Sequence, residues 1–164
     1  MYLQLIGDNM IKYEKADMAD ISVLTELRLA YLTEDHGGLT EAETQKIASQ
    51  LPLYYSEHLD KDLFVYVCRA DGKIVSCVFL YVSHMPPNPD FINGRTGTVL
   101  NVYTLPDHRR RGIAGRLMQD MLDDAKAMGL DYVELKATDM GRGLYKSLGF
   151  KDVISKYHSM KYVL

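Results

Sequence analysis

The sequence predicts an α/β (α+β) fold: a mixed central sheet of about six to seven strands with helices on both faces. Three observations predict it. Two β-prone runs, 63–69 and 73–83, flank Ala70-Asp71-Gly72, whose Asp-Gly pair signals a hairpin. An amphipathic helix over 112–128 lies between two more strand-like runs, 98–104 and 131–137. Strands therefore first pair as neighbours and then alternate with helices, which puts antiparallel and parallel pairing in one sheet.

Residues 1–9 read as an extension ahead of the domain, because Met10 directly precedes the first convincing strand, 10–14. Asp17 is placed to cap a helix in which Ile21, Leu24, Leu27, Arg28 and Tyr31 follow at helical spacing, up to Gly37-Gly38. Thr40 and Glu43 form the capping box of a second helix, with Ile47, Leu51, Tyr55 and Leu59 as its apolar positions. Pro52 is expected to kink or break it. Residues 84–97 hold three prolines, two asparagines and two glycines and read as a long loop. Pro106 ends the fourth strand. Ala114, Leu117, Met118, Met121, Leu122, Ala125 and Met128 form one apolar stripe, and Gly129 stands where a helix cap belongs. A short helix over 141–148 stops at Gly149. Residues 150–153 and 157–163 read as a closing strand pair.

At 164 residues the chain suits one domain, and 47% hydrophobic with 25% charged residues is ordinary for a globular protein. A net charge of −3 argues against a nucleic-acid partner and makes Arg109-Arg110-Arg111 stand out. Cys68 and Cys77 match no zinc or redox spacing, so no metal is expected. They read as reduced buried thiols, with a cross-strand disulfide as the alternative. No run is long enough for a membrane span and no basic-then-apolar leader is visible, so a cytoplasmic protein with no membrane partner is expected.

The chemistry concentrates where the fourth strand gives way to the long helix, through Pro106-Asp107-His108-Arg109-Arg110-Arg111-Gly112-Ile113-Ala114-Gly115. A helix start offers about four amides without internal partners and a partial positive charge, which together suit a phosphate or diphosphate. Gly112, Ala114 and Gly115 leave little bulk between such an anion and the backbone. Small residues and arginines also start ordinary solvated helices, so the pattern alone leaves that alternative open. The GxxxxGK[ST] and GxGxxG patterns are both absent.

The segment Arg109-x-x-Gly112-x-Ala114, opening the helix after the fourth strand, resembles the signature of the GNAT superfamily of acetyl-CoA-dependent N-acetyltransferases. Leu144-Tyr145-Lys146-Ser147-Leu148-Gly149-Phe150 is similar to its second element, a tyrosine on the helix after the fifth strand followed by Gly-Phe. The resemblance implies a single GNAT-like domain that moves the acetyl group of acetyl-CoA onto a primary amine of a small molecule or peptide, by direct attack in a ternary complex. It implies that Arg109, Arg110, Arg111, Gly112, Ile113, Ala114 and Gly115 hold the coenzyme diphosphate. Backbone groups of Val102, Tyr103 and Thr104 would pair with the pantetheine arm. Tyr145 would be the general acid that protonates the leaving thiolate. Relatives often carry an asparagine shortly after the fifth strand, where this chain has Ala137-Thr138-Asp139-Met140.

An alkyl amine with a pKa near ~10 must lose a proton before it attacks. Glu134 is the first candidate for the base; Glu34, Asp35 and His36 form a second group, His84 is a third, and proton loss through water needs none of them. Helix one, helix two and the 84–97 loop would line the acceptor side. A non-catalytic acyl-CoA-binding or regulatory module is the rival reading, since a coenzyme signature reports binding and not turnover. The sequence is compatible with a homodimer.

Overall fold

The computed structural model describes residues 3–6 and 9–164. Six strands lie in one sheet in sequence order: β1 (Leu3–Ile6), β2 (Asn9–Lys15), β3 (Leu63–Ala70), β4 (Lys73–His84), β5 (Arg95–Thr104) and β6 (Tyr132–Leu135). The first five pair antiparallel and β5 pairs parallel with β6, so the sheet is mixed as expected. Of the expected extension, residues 1, 2, 7 and 8 lie outside the described residues; β1 lies along β2. The strands expected as fourth and fifth are therefore β5 and β6.

Helices cover both faces. On one, α1 (Ile21–Asp35) and α2 (Glu41–His58) bring Leu24, Leu27 and Tyr55 against Val65, Val67, Cys77 and Phe79. On the other, α3 (Ile113–Ala127) lays Ile113, Leu117, Met118, Met121 and Ala125 onto Tyr66, Cys68, Val78, Leu80 and Val99. The stripe read from the sequence is thus the buried stripe. Cys68 and Cys77 belong to opposite faces of the sheet and are free, buried thiols. Burial alone pushes the Cys77 thiol up to about 12, and the Cys68 thiol up to about 11. Because Leu117 is only 1% exposed, Leu117→Ala is expected to cost about 2–5 kcal/mol. Denaturant unfolding checks this, and a midpoint unchanged from the parent would contradict the packing described.

The helix starts follow local chemistry. Asp17 accepts from the Ala19 amide at 2.8 Å and caps a short 3₁₀ turn, Met18–Asp20, that leads into α1. The Thr40 hydroxyl accepts from the Glu43 amide at 3.2 Å, while the Glu43 carboxylate accepts from the Thr40 amide at 2.8 Å. Pro52 does not break α2: it sits on the exposed side of a continuous helix, where a missing N–H falls on the wet face.

The expected closing strand pair does not form. After α4 (Asp139–Ser147), residues 150–164 carry no strand, and Val153, Ile154, Tyr157, Met160 and Tyr162 are exposed. β-propensity records a fit to a half-buried pleated surface, and these residues lie on none: the outer edge of β6 is left unpaired.

One irregularity sets up the site. Phe79 pairs with Asn101 but Leu80 pairs with Val99, so Leu100 is an extra residue in β5. Arg28 of α1 fastens this bulge, donating to Leu100 O at 3.2 Å and to Asn101 Oδ1 at 3.1 Å. Bulges bend a strand and raise its twist. Pairing with β6 spans Thr96 to Val99 and stops there. Past the bulge, β5 runs on to Thr104 beside an opening.

Candidate active site

The opening between β5 and the α3–α4 side is a cleft of about 740 Å³. Val102, Tyr103 and Thr104 form one wall, and Arg109, Arg110, Gly112, Ile113, Ala114 and Gly115 form its end. Tyr145 with Leu144 and Met140 faces them from α4, and Tyr31, Glu34 and Asp35 reach in from α1. Ten of the expected site residues are therefore together: the three of β5, six of the turn and helix start, and Tyr145. Arg111 and Glu134 are not in the lining. Arg111 turns back to donate to Asp107 O at 2.8 Å, and Glu134 is exposed on β6. His36 folds onto Leu32 O at the end of α1, and His84 pairs with Arg95 at the far end of β4.

The wall offers a strand edge. Leu105 donates its amide to Val75 O at 2.9 Å, toward β4. Backbone groups alternate along a strand, so Val102 and Thr104 point theirs away from β4, and Tyr103 points its own toward it. Two of the three expected backbone positions therefore face the cleft.

The turn is built to present amides. Pro106–His108 forms a 3₁₀ turn, Arg110 has φ 60° and Gly112 has φ 77°. The last value is left-handed and natural for glycine. The first bond inside α3 runs from the Arg116 amide to Gly112 O, so Ile113, Ala114 and Gly115 keep N–H groups that the helix itself leaves free. A Cβ on Gly112 would meet nothing within 4 Å, so the space at that position is open.

Arg109 does something the sequence did not suggest. Its Nε donates to Thr104 O at 2.8 Å, its Nη2 donates to Glu34 at 2.7 Å, and its guanidinium lies 5.5 Å from the Tyr103 ring centroid. It ties α1 to the end of β5, and its contribution to an anion is its backbone and a shared charge. The same hydrogen bond holds the Glu34 carboxyl below its ordinary value. Sequence reasoning also missed His108, whose Nδ1 is buried without a partner at the cleft wall. Its place directly before Arg109 was the available signal.

Tyr145 is partly buried, with its ring edge-on to Phe150 at 6.0 Å. Burial raises its pKa above the ordinary 10.0, and the neighbouring Tyr31 adds to the shift. It is a neutral phenol with a proton to give. In the stretch where relatives carry asparagine, Thr138 already caps α4 by accepting from the Gly141 amide at 3.2 Å. Thr138 and Asp139 both border the cleft.

A helix start that can take a diphosphate, continuous with a strand edge that can take an amide-bearing arm, fits an acyl-coenzyme A and defines a coenzyme-A-dependent acyltransferase. The model of the acetyltransferase (GNAT) family matches residues 24–150, and the chain belongs to that family. It is an N-acetyltransferase whose cosubstrate is acetyl-CoA. Among solved structures it is similar to a predicted acetyltransferase from Clostridium acetobutylicum with acetyl-CoA, at 29% identity and a TM-score of 0.81 over 93% of this chain and 96% of that one. The GCN5-related N-acetyltransferase from Ralstonia eutropha JMP134 shares the fold at 24% identity and a TM-score of 0.73, over 92% and 98%. So does glucosamine-6-phosphate N-acetyltransferase from Arabidopsis thaliana, at 18% and 0.68, over 93% and 97%. A search of curated proteins found no match.

Proposed function

We propose that the protein acetylates a primary amine of a small molecule or peptide by direct attack on the thioester within a ternary complex. The observation that carries this reading is one continuous cleft that joins the α3 amides and the free edge of β5 to Tyr145 on one side and to the Tyr31, Glu34 and Asp35 group on the other. Neither cysteine lines it, so among the described residues no thiol is placed to take the acetyl group first. Ile113, Ala114 and Gly115 would hold the diphosphate, and the outward groups of Val102 and the N–H of Thr104 would pair with the pantetheine arm, since Thr104 O already accepts from Arg109. An outward N–H of β5 would polarise the thioester carbonyl, an effect on the order of 3 kcal/mol for one donor.

Glu34 and Asp35 place negative charge where a cationic amine would enter. Arg109 keeps Glu34 ionised, which suits it to attract the ammonium form more than to accept its proton. The proton leaves through water, as Glu134 stands outside the cleft. Tyr145 then donates its phenolic proton to the departing thiolate.

The test is to incubate the protein with acetyl-CoA and a panel of small amines and peptides while following thiol release. Release with one acceptor, and initial-rate lines that intersect when both substrates are varied, support the proposal. Coenzyme binding without release for any acceptor would instead favour the binding module. If Tyr145 is the donor it must be protonated, so activity is lost as pH rises through its pKa. Because that pKa is raised, the alkaline limb of kcat is expected above the ordinary tyrosine value of 10.0. A limb centred below that value would remove Tyr145 from the role.

A further inference from the structure

A coenzyme held at the start of α3 gives the free edge of β5 a direction. Its pantetheine arm runs back past Thr104 and Val102, and its thioester end points toward the bulge at Leu100. The acceptor must then arrive from the bulge side. Leu100 lies one strand repeat beyond Val102, about 7 Å along β5.

Arg28 stands at that end, reaching across from α1. It donates through Nη1 alone, to Leu100 O at 3.2 Å and to Asn101 Oδ1 at 3.1 Å. Asn101 is 2% exposed and is held in turn, its Nδ2 donating to Cys77 Sγ at 3.5 Å. The guanidinium is therefore fixed before any ligand comes. Arg69, Arg109, Arg116 and Arg142 each form an ion pair, whereas among the described residues Arg28 makes none, and its Nε and Nη2 donate to nothing. Those two nitrogens form the edge of an arginine that meets a carboxylate with two parallel N–H···O bonds.

The surroundings make this charge count. Arg28 is partly buried and lies 5.4 Å from the centroid of the Tyr31 ring. Burial raises the pKa of Tyr31, Tyr54 and Tyr55, and in each the Arg28 cation pulls the other way, so its field is felt at hydroxyls from two helices. On this side Asp62 already accepts from His58 at 2.8 Å. Arg28, Tyr31 and Asp35 fall at i, i+3 and i+7 of α1, which is one face of the helix. Tyr31 and Asp35 border the cleft, and Arg28 continues their face past its end, about 10 Å from Asp35 along the axis.

We propose, on the reading that the cleft acetylates an amine, that the acceptor bears a carboxylate as well as its primary amine, and that Arg28 is the specificity residue that receives it. The Nε and Nη2 edge takes the carboxylate, while Asp35 draws the ammonium end toward the thioester. Several atoms must separate the two groups for one molecule to reach both places, as in an amino acid with a terminal side-chain amine or a short peptide with a free C-terminus.

The experiment follows thiol release from acetyl-CoA with acceptors in matched pairs: aminohexanoate with aminohexanamide, and short lysine peptides with a free or an amidated C-terminus. The amine is remote in each pair, so its basicity is shared. The wild type is expected to show kcat/KM at least about 10-fold higher for the carboxylate member. Arg28→Gln keeps an N–H for Leu100 O but loses the charge and the fork, and is expected to bring that ratio near one, with retained CoA binding as the sign of folding. Arg28→Lys keeps the charge without the fork and is expected to fall between. Loss of the bulge alone would lower both members of a pair together and leave the ratio in place, so a ratio preserved in Arg28→Gln overturns the proposal. Turnover of the amide as fast as the carboxylate in the wild type overturns it without any variant and leaves the acetyltransfer reading standing. No release from any acceptor overturns both.

Discussion

Replacing Tyr145 with phenylalanine is expected to lower kcat by about 10²-fold or more while leaving the affinity for CoA within about twofold. The expectation comes from where the hydroxyl stands. Tyr145 borders the cleft from α4, opposite the β5 edge, and its ring packs against Phe150 through carbon atoms that phenylalanine keeps. The α3 amides that would hold the diphosphate lie on a different element. Losing the hydroxyl therefore removes a proton donor without disturbing the cradle. The departing thiolate must then leave without that proton, and a cost confined to the transition state appears in kcat and kcat/KM together. Single-turnover rates with acetyl-CoA and the best amine, set beside calorimetric Kd values for CoA, check it. An unchanged rate would leave Tyr145 as packing, and an equal loss of coenzyme affinity would mean that the substitution had deformed the cleft.

The parts of this molecule that local pattern specifies were legible in its sequence. The α3 stripe was, because Leu117, Met118 and Met121 bury the face that the spacing marks. The β3–β4 hairpin was, because Asp71 at φ 49° and Gly72 at φ 81° take the turn their residue types favour. The end of the cleft was legible as a run of small residues after a basic turn, since Gly112, Ile113, Ala114 and Gly115 line it. Other features depend on partners far away in the chain. Nothing near Leu100 announces a bulge, yet Arg28, more than seventy positions earlier, fastens it and so helps open the cleft. Arg109 reads as an anion ligand until Glu34 and Thr104 claim its side chain. Residues 150–164 have the pattern of strands, but pattern cannot supply the pairing they need, and the outer edge of β6 is left unpaired. Pro52 shows the converse: a strong local rule gave way because Leu51 and Tyr55 pack on the inner side of α2 while the proline faces water.

Gly112→Val is expected to raise the Kd for CoA by at least about 10-fold, through two effects that act in the same direction. Gly112 has φ 77°, a conformation that costs a β-branched residue roughly 1–3 kcal/mol, so the turn would relax and move the amides of Ile113 and Ala114 off their aim. The Cβ position is also open, with nothing within 4 Å. That leaves a valine free to project into the space an approaching diphosphate needs, with no neighbour to hold it aside. Gly112→Ala separates the two contributions, because it brings the strain with less bulk and should fall between wild type and valine. Calorimetric titration with CoA and with dephosphorylated pantetheine tells where the loss lies. A loss for CoA that pantetheine does not share assigns the effect to the diphosphate, whereas equal losses would mean that the β5 edge had moved too. Should valine at this position leave CoA binding intact, the start of α3 is not where the coenzyme's charge is held.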